Sequence, residues 1–242
     1  ESVGPAAAAA VLAAHWLGAG RVVEAYRASI AAAAEAETVH AHADALSFEY
    51  ASHGVTWIVD PGTYTYTKDA ALRDHFRSSS GHNTLVVEGQ SQSQPNGPFS
   101  WAQVAVTTLQ EVTATAEGAI CIGEQNGYER LDPPVRHQRS VQLLRRPDSP
   151  SESYLLIEDR AASAGSYRYE LRFHFAPDCK PGRSNGRFVV HHPNGPQLAV
   201  AIWLVDHKRR GTPLAIRVED GWVSREYARR VTAPVVVAEA QG

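Results

Sequence analysis

The chain has 242 residues, of which 43% are hydrophobic and 20% are charged, and its formal net charge is −3 with neutral histidines. These values suit a folded domain with a sizeable core, and 18 glycines with 14 prolines allow many turns. The charge balance excludes the basic field of a nucleic-acid-binding protein, and no apolar run of about 18 residues predicts a membrane span.

The first predicted element is an alanine-rich helical arm over residues 1–37. Its composition favours helix, and two glycines predict a break into helices of roughly 5–17 and 21–36. The arm has few large apolar residues, so we expect it to pack against the sheet or against a neighbouring domain. The chain begins at Glu1 rather than at Met, so one expectation is a fragment or a processed piece of a longer protein.

From residue 38 to residue 242 the pattern changes to β-structure. About a dozen strand-length runs, such as VTWIVD, NTLVVEG and YRYELRFHFA, are each closed by Gly, Pro, Asn or Asp. The short spacing predicts one large antiparallel β-sandwich domain over residues 38–242. One less regular stretch, DAALRDHF, predicts a short surface helix that Asp69 caps.

The residues best suited to chemistry begin in VHAHADALSFEY, residues 39–50. Side chains two residues apart share one face of an extended strand, so we expect His40, His42 and Asp44 to point the same way. The same residues fit two interpretations. They could be a solvated strand end, or part of a metal or proton-transfer site.

Two further strand ends carry residues of the same type. If the first run pairs with GVTWIVDPG through the SHG turn, Asp60 lies opposite about residue 46 and within reach of His42. His82 stands at another strand entrance, in GHNTLVV. Two imidazoles and a carboxylate are a ligand set that zinc accepts.

Three segments, HADALSFEYASHGVTWIVDPGTYTY, FRSSSGHNTLVVEGQSQ and ELRFHFAPD, resemble the β-sheet domain of the heparinase II/III-like polysaccharide lyases. The resemblance covers roughly residues 38–240, and its long ordered motif is far more specific than a lone HxH pair. In that family a helical (α/α) toroid precedes a large antiparallel sandwich, and the active site lies between them. The resemblance implies β-elimination at a uronic acid, in which a base removes the C5 proton and an acid protonates the departing O4.

The resemblance also assigns roles to individual residues. At matching positions, His40 corresponds to the one catalytic histidine of the sandwich. The ligands of a structural zinc ion correspond to His42, Asp60 and His82. A neutral imidazole can exchange protons near pH 7, and a fixed cation beside it influences its pKa. Asp44 could orient an imidazole or cap a turn.

Candidate substrate-binding residues are Tyr64, Tyr66 and Arg77. Arg77 could hold a uronate carboxylate with two hydrogen bonds, and a tyrosine could stack on a sugar or hydrogen-bond to it. A surface salt bridge and aromatic side chains at the edge of the core are the alternative interpretations.

Other polar and aromatic residues favour structural roles. We expect His174 to be a hydrogen-bonded strand histidine, and the acidic pair Glu158 and Asp159 to lie at a turn. The tryptophans expected to fill the sandwich are Trp57, Trp101, Trp203 and Trp222. The cysteines match no metal or redox spacing and leave a disulfide open; they are Cys121 and Cys179.

The chain departs from the family pattern in the region before the motif, because only the helical arm precedes the motif. The Tyr and the Asn or His that the toroid supplies in the family have no counterpart in this sequence. We therefore expect the zinc-bearing sandwich half of a lyase active site. Its partners would be a missing toroid and an anionic polysaccharide such as a glycosaminoglycan or alginate. The alternatives are a non-catalytic glycan-binding or structural module, and a different metal-dependent enzyme of cupin type. The resemblance favours a periplasmic or secreted protein.

Overall fold

The computed structural model describes four ranges of the chain, which are residues 42–115, 118–146, 149–205 and 210–242. The predicted arm of residues 1–37 and His40 lie outside the described residues, so what the sequence predicts for them stays a prediction. Within the described ranges, strands dominate and pair antiparallel. The predicted fold class, a mainly β antiparallel sandwich, is confirmed in these features.

The described ranges contain 17 strands, numbered here in chain order, with one α-helix and one short 3-10 helix. The strands are β1 (Tyr50–Ser52), β2 (Val55–Ile58), β3 (Leu85–Val87), β4 (Gln94–Pro95), β5 (Trp101–Gln103), β6 (Thr107–Ala114), β7 (Gly118–Gln125), β8 (Arg136–Arg146), β9 (Ser149–Ala162), β10 (Arg168–His174), β11 (Lys180–Ser184), β12 (Arg187–His191), β13 (Gln197–Val200), β14 (Trp203–Val205), β15 (Gly211–Pro213), β16 (Ile216–Glu226) and β17 (Arg229–Gln241). The α-helix α1 spans Ala70–Arg77, and the 3-10 helix spans Ser79–Gly81. The count exceeds the predicted dozen because strands such as β15 contain Gly and Pro, and pairing rather than propensity makes them extended.

The described residues fall into two compact units. Those of Glu1–Phe48 and Gln92–Gly165 form the first unit, and those of Glu49–Ser91 and Ser166–Gly242 form the second.

In the first unit, β6, β7, β8 and β9 form a four-stranded antiparallel sheet in chain order. Alternation along β8 buries Val141 and Leu143, while Leu144 is exposed. The strand β8 pairs with β9 over nearly its whole length, with Val141 opposite Ile157. The alternating runs of the sequence therefore become adjacent strands with one buried face. The remaining sheet of this unit pairs β4 with β5.

In the second unit, the largest sheet has the strand order β16, β17, β10, β3. The central strand β17 is buried continuously from Val235 to Ala238, as its apolar run VVVA predicts. Each fully buried valine of this run contributes about 1.5–3 kcal/mol to stability. The smaller sheets are β11–β12–β13, β14–β15 and β1–β2.

The hairpin predicted around SHG is present. Ser52 lies opposite Val55, and the turn residues His53 and Gly54 both have positive φ angles. The strand β1 begins only at Tyr50, however, so the pairing does not extend to residue 46 as predicted.

The segment before this hairpin turns instead of continuing the strand. The carbonyl of Asp44 accepts a hydrogen bond of 2.8 Å from the amide of Ser47, and Leu46 has a φ of 62°. A residue in the left-handed region cannot continue an extended strand. His42 and Asp44 are therefore not in a strand as predicted, although their ligand atoms still lie within 4.8 Å of each other.

The predicted surface helix is confirmed as α1. Asp69 caps it, because its Oδ1 accepts a hydrogen bond of 3.0 Å from the amide of Leu72. Phe76 is buried and anchors the helix. None of the helices in the described ranges is long and apolar enough to cross a membrane. The two cysteines, whose disulfide the sequence left open, are buried free thiols.

Candidate functional site

The second unit brings Asp60 and His82 side by side. Asp60 follows β2, and its Oδ1 lies 2.9 Å from Nδ1 of His82. Its Oδ2 accepts a hydrogen bond of 2.8 Å from the amide of Gly62. The imidazole is fully buried, whereas the carboxylate is 38% exposed. The buried ring of His82 thus contacts the partly solvent-exposed carboxylate of Asp60.

The Asp-Pro-Gly turn explains why a glycine stands at position 62. Gly62 has a φ of 80°, and a side chain there would collide with the backbone carbonyl oxygen of Ser224. The strand β16 approaches closely because the amide of Ser224 donates a hydrogen bond of 2.7 Å to the carbonyl of Pro61. The close contact fixes the turn that carries Asp60.

The His-Asn-Thr motif positions His82 from the other side. The side-chain amide of Asn83 donates to the carbonyl of Val59 at 2.9 Å, and its oxygen accepts from the amide of His174 at 2.6 Å. Asn83 is fully buried, so each of these hydrogen bonds would be costly to lose. The asparagine therefore holds the histidine next to the end of β2.

Glu49 is a residue of this region that the sequence analysis did not single out. Burial and, second to it, the negative charge of Asp60 raise the pKa of Glu49 to about 7, against the opposing charge of Arg225. Two carboxyl groups are thus crowded together, and a nearby cation would stabilise both. The only sequence signal for Glu49 is its place at the end of the LSFE run.

His174 has the structural role that its sequence context predicts. It ends β10, is buried, and its Nε2 lies 3.2 Å from the carbonyl oxygen of Ser80. Burial, together with the nearby His82 and Arg172, lowers the pKa of His174 to about 3. The ring is therefore neutral at pH 7 and donates a hydrogen bond to the backbone.

In the first unit, the ligand atoms of His42 and Asp44 lie within 4.8 Å of each other, and in the second unit His82 presents its ring beside Asp60. Imidazole nitrogens and a carboxylate oxygen suit zinc and several other divalent ions. Asp60, which the sequence predicts as a ligand, is the direct neighbour of His82. The predicted catalytic residue His40 lies outside the described residues.

In the first unit, two buried side chains hold the turn that follows Asp44. The side-chain amide of Gln92 donates to the carbonyl of Ala45 at 3.0 Å. The guanidinium of Arg139 donates to the carbonyl of Leu46 at 2.8 Å. These two donors satisfy carbonyls that a strand would otherwise have paired, so the turn is stable in the interior.

Arg139 belongs to a buried polar network across three strands. It faces Asp159 across β8 and β9 and binds both carboxylate oxygens, at 2.8 and 3.0 Å. Nε2 of His137 lies 2.7 Å from the same carboxylate, and Nδ1 of this ring lies 3.2 Å from the side-chain nitrogen of Gln125. Asp159 is thus within a strand, and its predicted position at a turn is wrong.

The network has a defined charge state. Burial alone would raise the pKa of Asp159, but the charge of Arg139 and the hydrogen bond from His137 outweigh it and hold this pKa well below its usual range. Burial lowers the pKa of His137. The neutral ring therefore donates through Nε2 to Asp159 and accepts through Nδ1 from Gln125. All these groups are satisfied internally, which indicates a structural role.

Arg77, predicted to bind substrate, lies at the end of α1 with its side chain only 1% exposed. Its Nε donates to Oδ1 of Asp74 at 3.1 Å. In this conformation the guanidinium is covered, so its role in binding a uronate stays a prediction.

Tyr64 and Tyr66 lie together at the surface of the second unit. Tyr64 stacks on Phe76 with ring centroids 5.5 Å apart. Tyr66 stacks on Tyr227 at 6.0 Å. Both predicted tyrosines are half-buried residues.

Comparisons with known proteins agree with this fold. The family described as Heparinase II/III-like, C-terminal has a model that matches residues 4–241. The heparan sulfate lyase HepC from Pedobacter heparinus is similar in structure, with a TM-score of 0.65 and 21% identity over 84% of this chain and 28% of that chain. The heparinase III BT4657 gene product gives a TM-score of 0.62 and 17% identity, again over 84% of this chain and 28% of that chain.

The structural likeness shows a shared fold for this part of those proteins. The chain spans 28% of the length of either structure. No curated protein matches the sequence.

Proposed function

Because the chain belongs to the heparinase II/III-like, C-terminal family, as its motifs predict, we propose that it is the sandwich part of a polysaccharide lyase. The reaction would be β-elimination at a uronic acid within an anionic glycan. The single observation that carries this proposal is the family match over residues 4–241. The compared structures are named as heparan sulfate lyase and heparinase, which favours a glycosaminoglycan over alginate.

The proposed catalytic residue of this chain is His40. Elimination requires removal of the C5 proton, neutralisation of the uronate carboxylate and protonation of the departing O4. A neutral imidazole near pH 7 can serve as the acid or base in such a step. The remaining groups would come from a toroid domain, which we propose as the partner of this chain. An extracellular polysaccharide as substrate favours a periplasmic or secreted protein.

We propose zinc as the metal, held by His42, His82 and Asp60. The adjacent donor atoms of Asp60 and His82, and the crowding of Asp60 with Glu49, support a cation at this point. When bound, the ion would supply a fixed positive charge that stabilises the segment carrying His42 and favours neutral imidazole nearby. Asp44 is the alternative carboxylate ligand.

The zinc content of variants shows which carboxylate, Asp60 or Asp44, is the metal ligand. Dialysed protein is analysed for metal in the wild type, Asp60→Asn and Asp44→Asn. We expect stoichiometric zinc in the wild type, its loss in Asp60→Asn and its retention in Asp44→Asn. The reverse pattern would assign Asp44 as the ligand, with Asp60 orienting the ring of His82.

The lyase activity has a direct optical signal, because elimination creates a C4–C5 double bond conjugated to the carboxylate and this absorbs in the near ultraviolet. The chain, combined with a toroid domain of this family, is assayed with heparan sulfate, heparosan, chondroitin sulfate and alginate, beside His40→Ala with the same toroid as the control. We expect the absorbance to rise with the wild type and not with His40→Ala. Binding of these glycans without any such rise would overturn catalysis by this chain.

That second result would favour a non-catalytic glycan-binding module. The specific observation behind this second candidate is the accessible stack of Tyr66 on Tyr227, which could hold a sugar without any proton transfer.

A further inference from the structure

The hairpin formed by β16 and β17 carries an arginine held between aromatic rings. The guanidinium of Arg230 lies 4.0 Å from the ring centroid of Trp222 and 5.4 Å from that of Tyr64. The two contacts fix the plane of the guanidinium through cation–π attraction. Trp222, which the sequence predicts as a core residue, is only half-buried here.

The charge of Arg230 is not used by a carboxylate of the residues described. Its neighbour Arg229 donates to Glu226 at 2.8 Å, whereas Arg230 contacts the two aromatic rings and lies near the imidazole of His75, whose pKa its charge helps to lower. A guanidinium presents five N–H donors in a rigid planar fork that matches carboxylate and sulfate oxygens. Arg230 is therefore pre-oriented to bind an anion.

The same hairpin turn and the segment of Tyr64 also carry a second aromatic surface. The rings of Tyr66 and Tyr227 are stacked with an interplanar angle of 27°, and Tyr227 is 60% exposed. The amide of Ala228 donates a hydrogen bond of 2.7 Å to the carbonyl of Tyr64, which ties the tyrosine segment to the hairpin turn. A fixed aromatic face with a hydroxyl at its edge is suited to contact a pyranose ring.

We propose that Arg230, Trp222 and the Tyr66–Tyr227 stack form a subsite for one acidic sugar residue. The guanidinium binds the carboxylate or sulfate group, and the pyranose ring packs on the tyrosine surface. This inference rests on the proposed function, in which an anionic polysaccharide is the substrate. It adds Arg230, Trp222 and Tyr227 to the tyrosines predicted from sequence, and it gives the anion an accessible arginine in place of the covered Arg77.

The test is calorimetric titration of the full chain with size-defined oligosaccharides. Heparosan fragments carry uronate only, heparin fragments carry uronate and sulfate, and chitin fragments are neutral. We expect Arg230→Gln to weaken binding of acidic fragments by about 10- to 100-fold, because a charge-assisted bidentate contact is lost. Arg230→Lys keeps the positive charge but loses the planar guanidinium, so its affinity for acidic fragments should lie between those of the wild type and Arg230→Gln.

The adjacent Arg229→Gln is the matched control, because it removes the same charge from the same hairpin. We expect its affinity to stay within about two-fold of the wild type, as an exposed ion pair contributes little. An effect of Arg230→Gln on both acidic ligands assigns the uronate carboxylate, and an effect on heparin alone assigns sulfate. Either result supports the subsite, provided that the unfolding midpoint of the variant is unchanged.

Equal affinities of Arg230→Gln and Arg229→Gln, or tighter binding of neutral than of acidic fragments, would overturn the subsite. Neither result bears on the zinc ligands or on His40. Conversely, loss of binding in Arg230→Gln without any elimination signal from the wild type would leave the subsite in place and remove the lyase activity. The two proposals therefore fail in distinguishable ways.

Discussion

In the first unit, Nε2 of His137 lies 2.7 Å from Asp159, and in the second unit, Nδ1 of His82 lies 2.9 Å from Asp60. Both imidazole rings are fully buried. The carboxylates differ, because Asp159 is 7% exposed and Asp60 is 38% exposed. The same two residue types, at nearly the same distance, thus stand in different environments.

The charged groups next to the two carboxylates also differ. Asp159 receives both hydrogen bonds of the Arg139 fork, so the protein supplies the cation itself. Asp60 lies near a second carboxyl group, Glu49, whose pKa is raised to about 7 by burial and by the charge of Asp60, against the opposing charge of Arg225. A buried pair with its own cation is a structural element. For the pair beside Glu49, we propose that a bound metal ion adds positive charge next to the two carboxyl groups.

The largest effect is expected from removing the carboxylate in the first unit. Asp159→Ala leaves the guanidinium of Arg139 buried without its counterion, which should lower the free energy of unfolding by about 3–5 kcal/mol. Urea denaturation measures this. The neighbouring Glu158→Ala removes an exposed partner of Arg160 and should cost about 1 kcal/mol or less. Equal costs for the two variants would contradict the structural role of Asp159.

A smaller effect, on zinc affinity rather than on stability, is expected from the matching change in the second unit. Asp60→Asn should lower the affinity for zinc by at least about 10- to 100-fold, since a ligand or a group that orients a ligand is lost. Competition with a chromophoric chelator measures this affinity. Asp74→Asn removes an exposed partner of Arg77 and serves as the control. If both variants bind zinc like the wild type, Asp60 has no part in the site.

The smallest effect is expected in the pH dependence of stability. The folded-state pKa of His137 is lowered from 6.5, so the unfolded chain binds the additional proton first. The stability that neutral His137 contributes above pH 6.5 is therefore lost as the pH falls below 6.5. His137→Gln should reduce the slope of unfolding free energy against pH by about 1 kcal/mol per pH unit between pH 6.5 and 5. An unchanged slope would show that His137 is protonated in the folded state.

Local sequence signals predicted much of the fold. The hairpin at His53 and Gly54, the capping of α1 by Asp69 and the apolar run of β17 follow from turn chemistry, capping and burial. Each of these depends on residues near one another in the chain. For Asp60 and His82, the family motif, rather than the spacing of the residues, indicated that the two side chains lie close together.

The features that sequence reasoning missed depend on contacts between distant segments. Leu46 takes a left-handed conformation because buried donors 46 or more residues away in the chain, Gln92 and Arg139, hold the turn around it. Asp159 faces Arg139 only because β8 and β9 pair in one particular register. Neither propensity nor motif carries this information.

The most direct test of the account compares zinc content in His82→Gln and His137→Gln, two variants that each remove one buried histidine beside an aspartate. We expect His82→Gln to lose stoichiometric zinc, whereas folded His137→Gln should retain it and unfold at a lower urea concentration than the wild type. Retention of zinc by His82→Gln, or its absence from the wild-type chain, would contradict the proposal that His82 and Asp60 hold a metal ion.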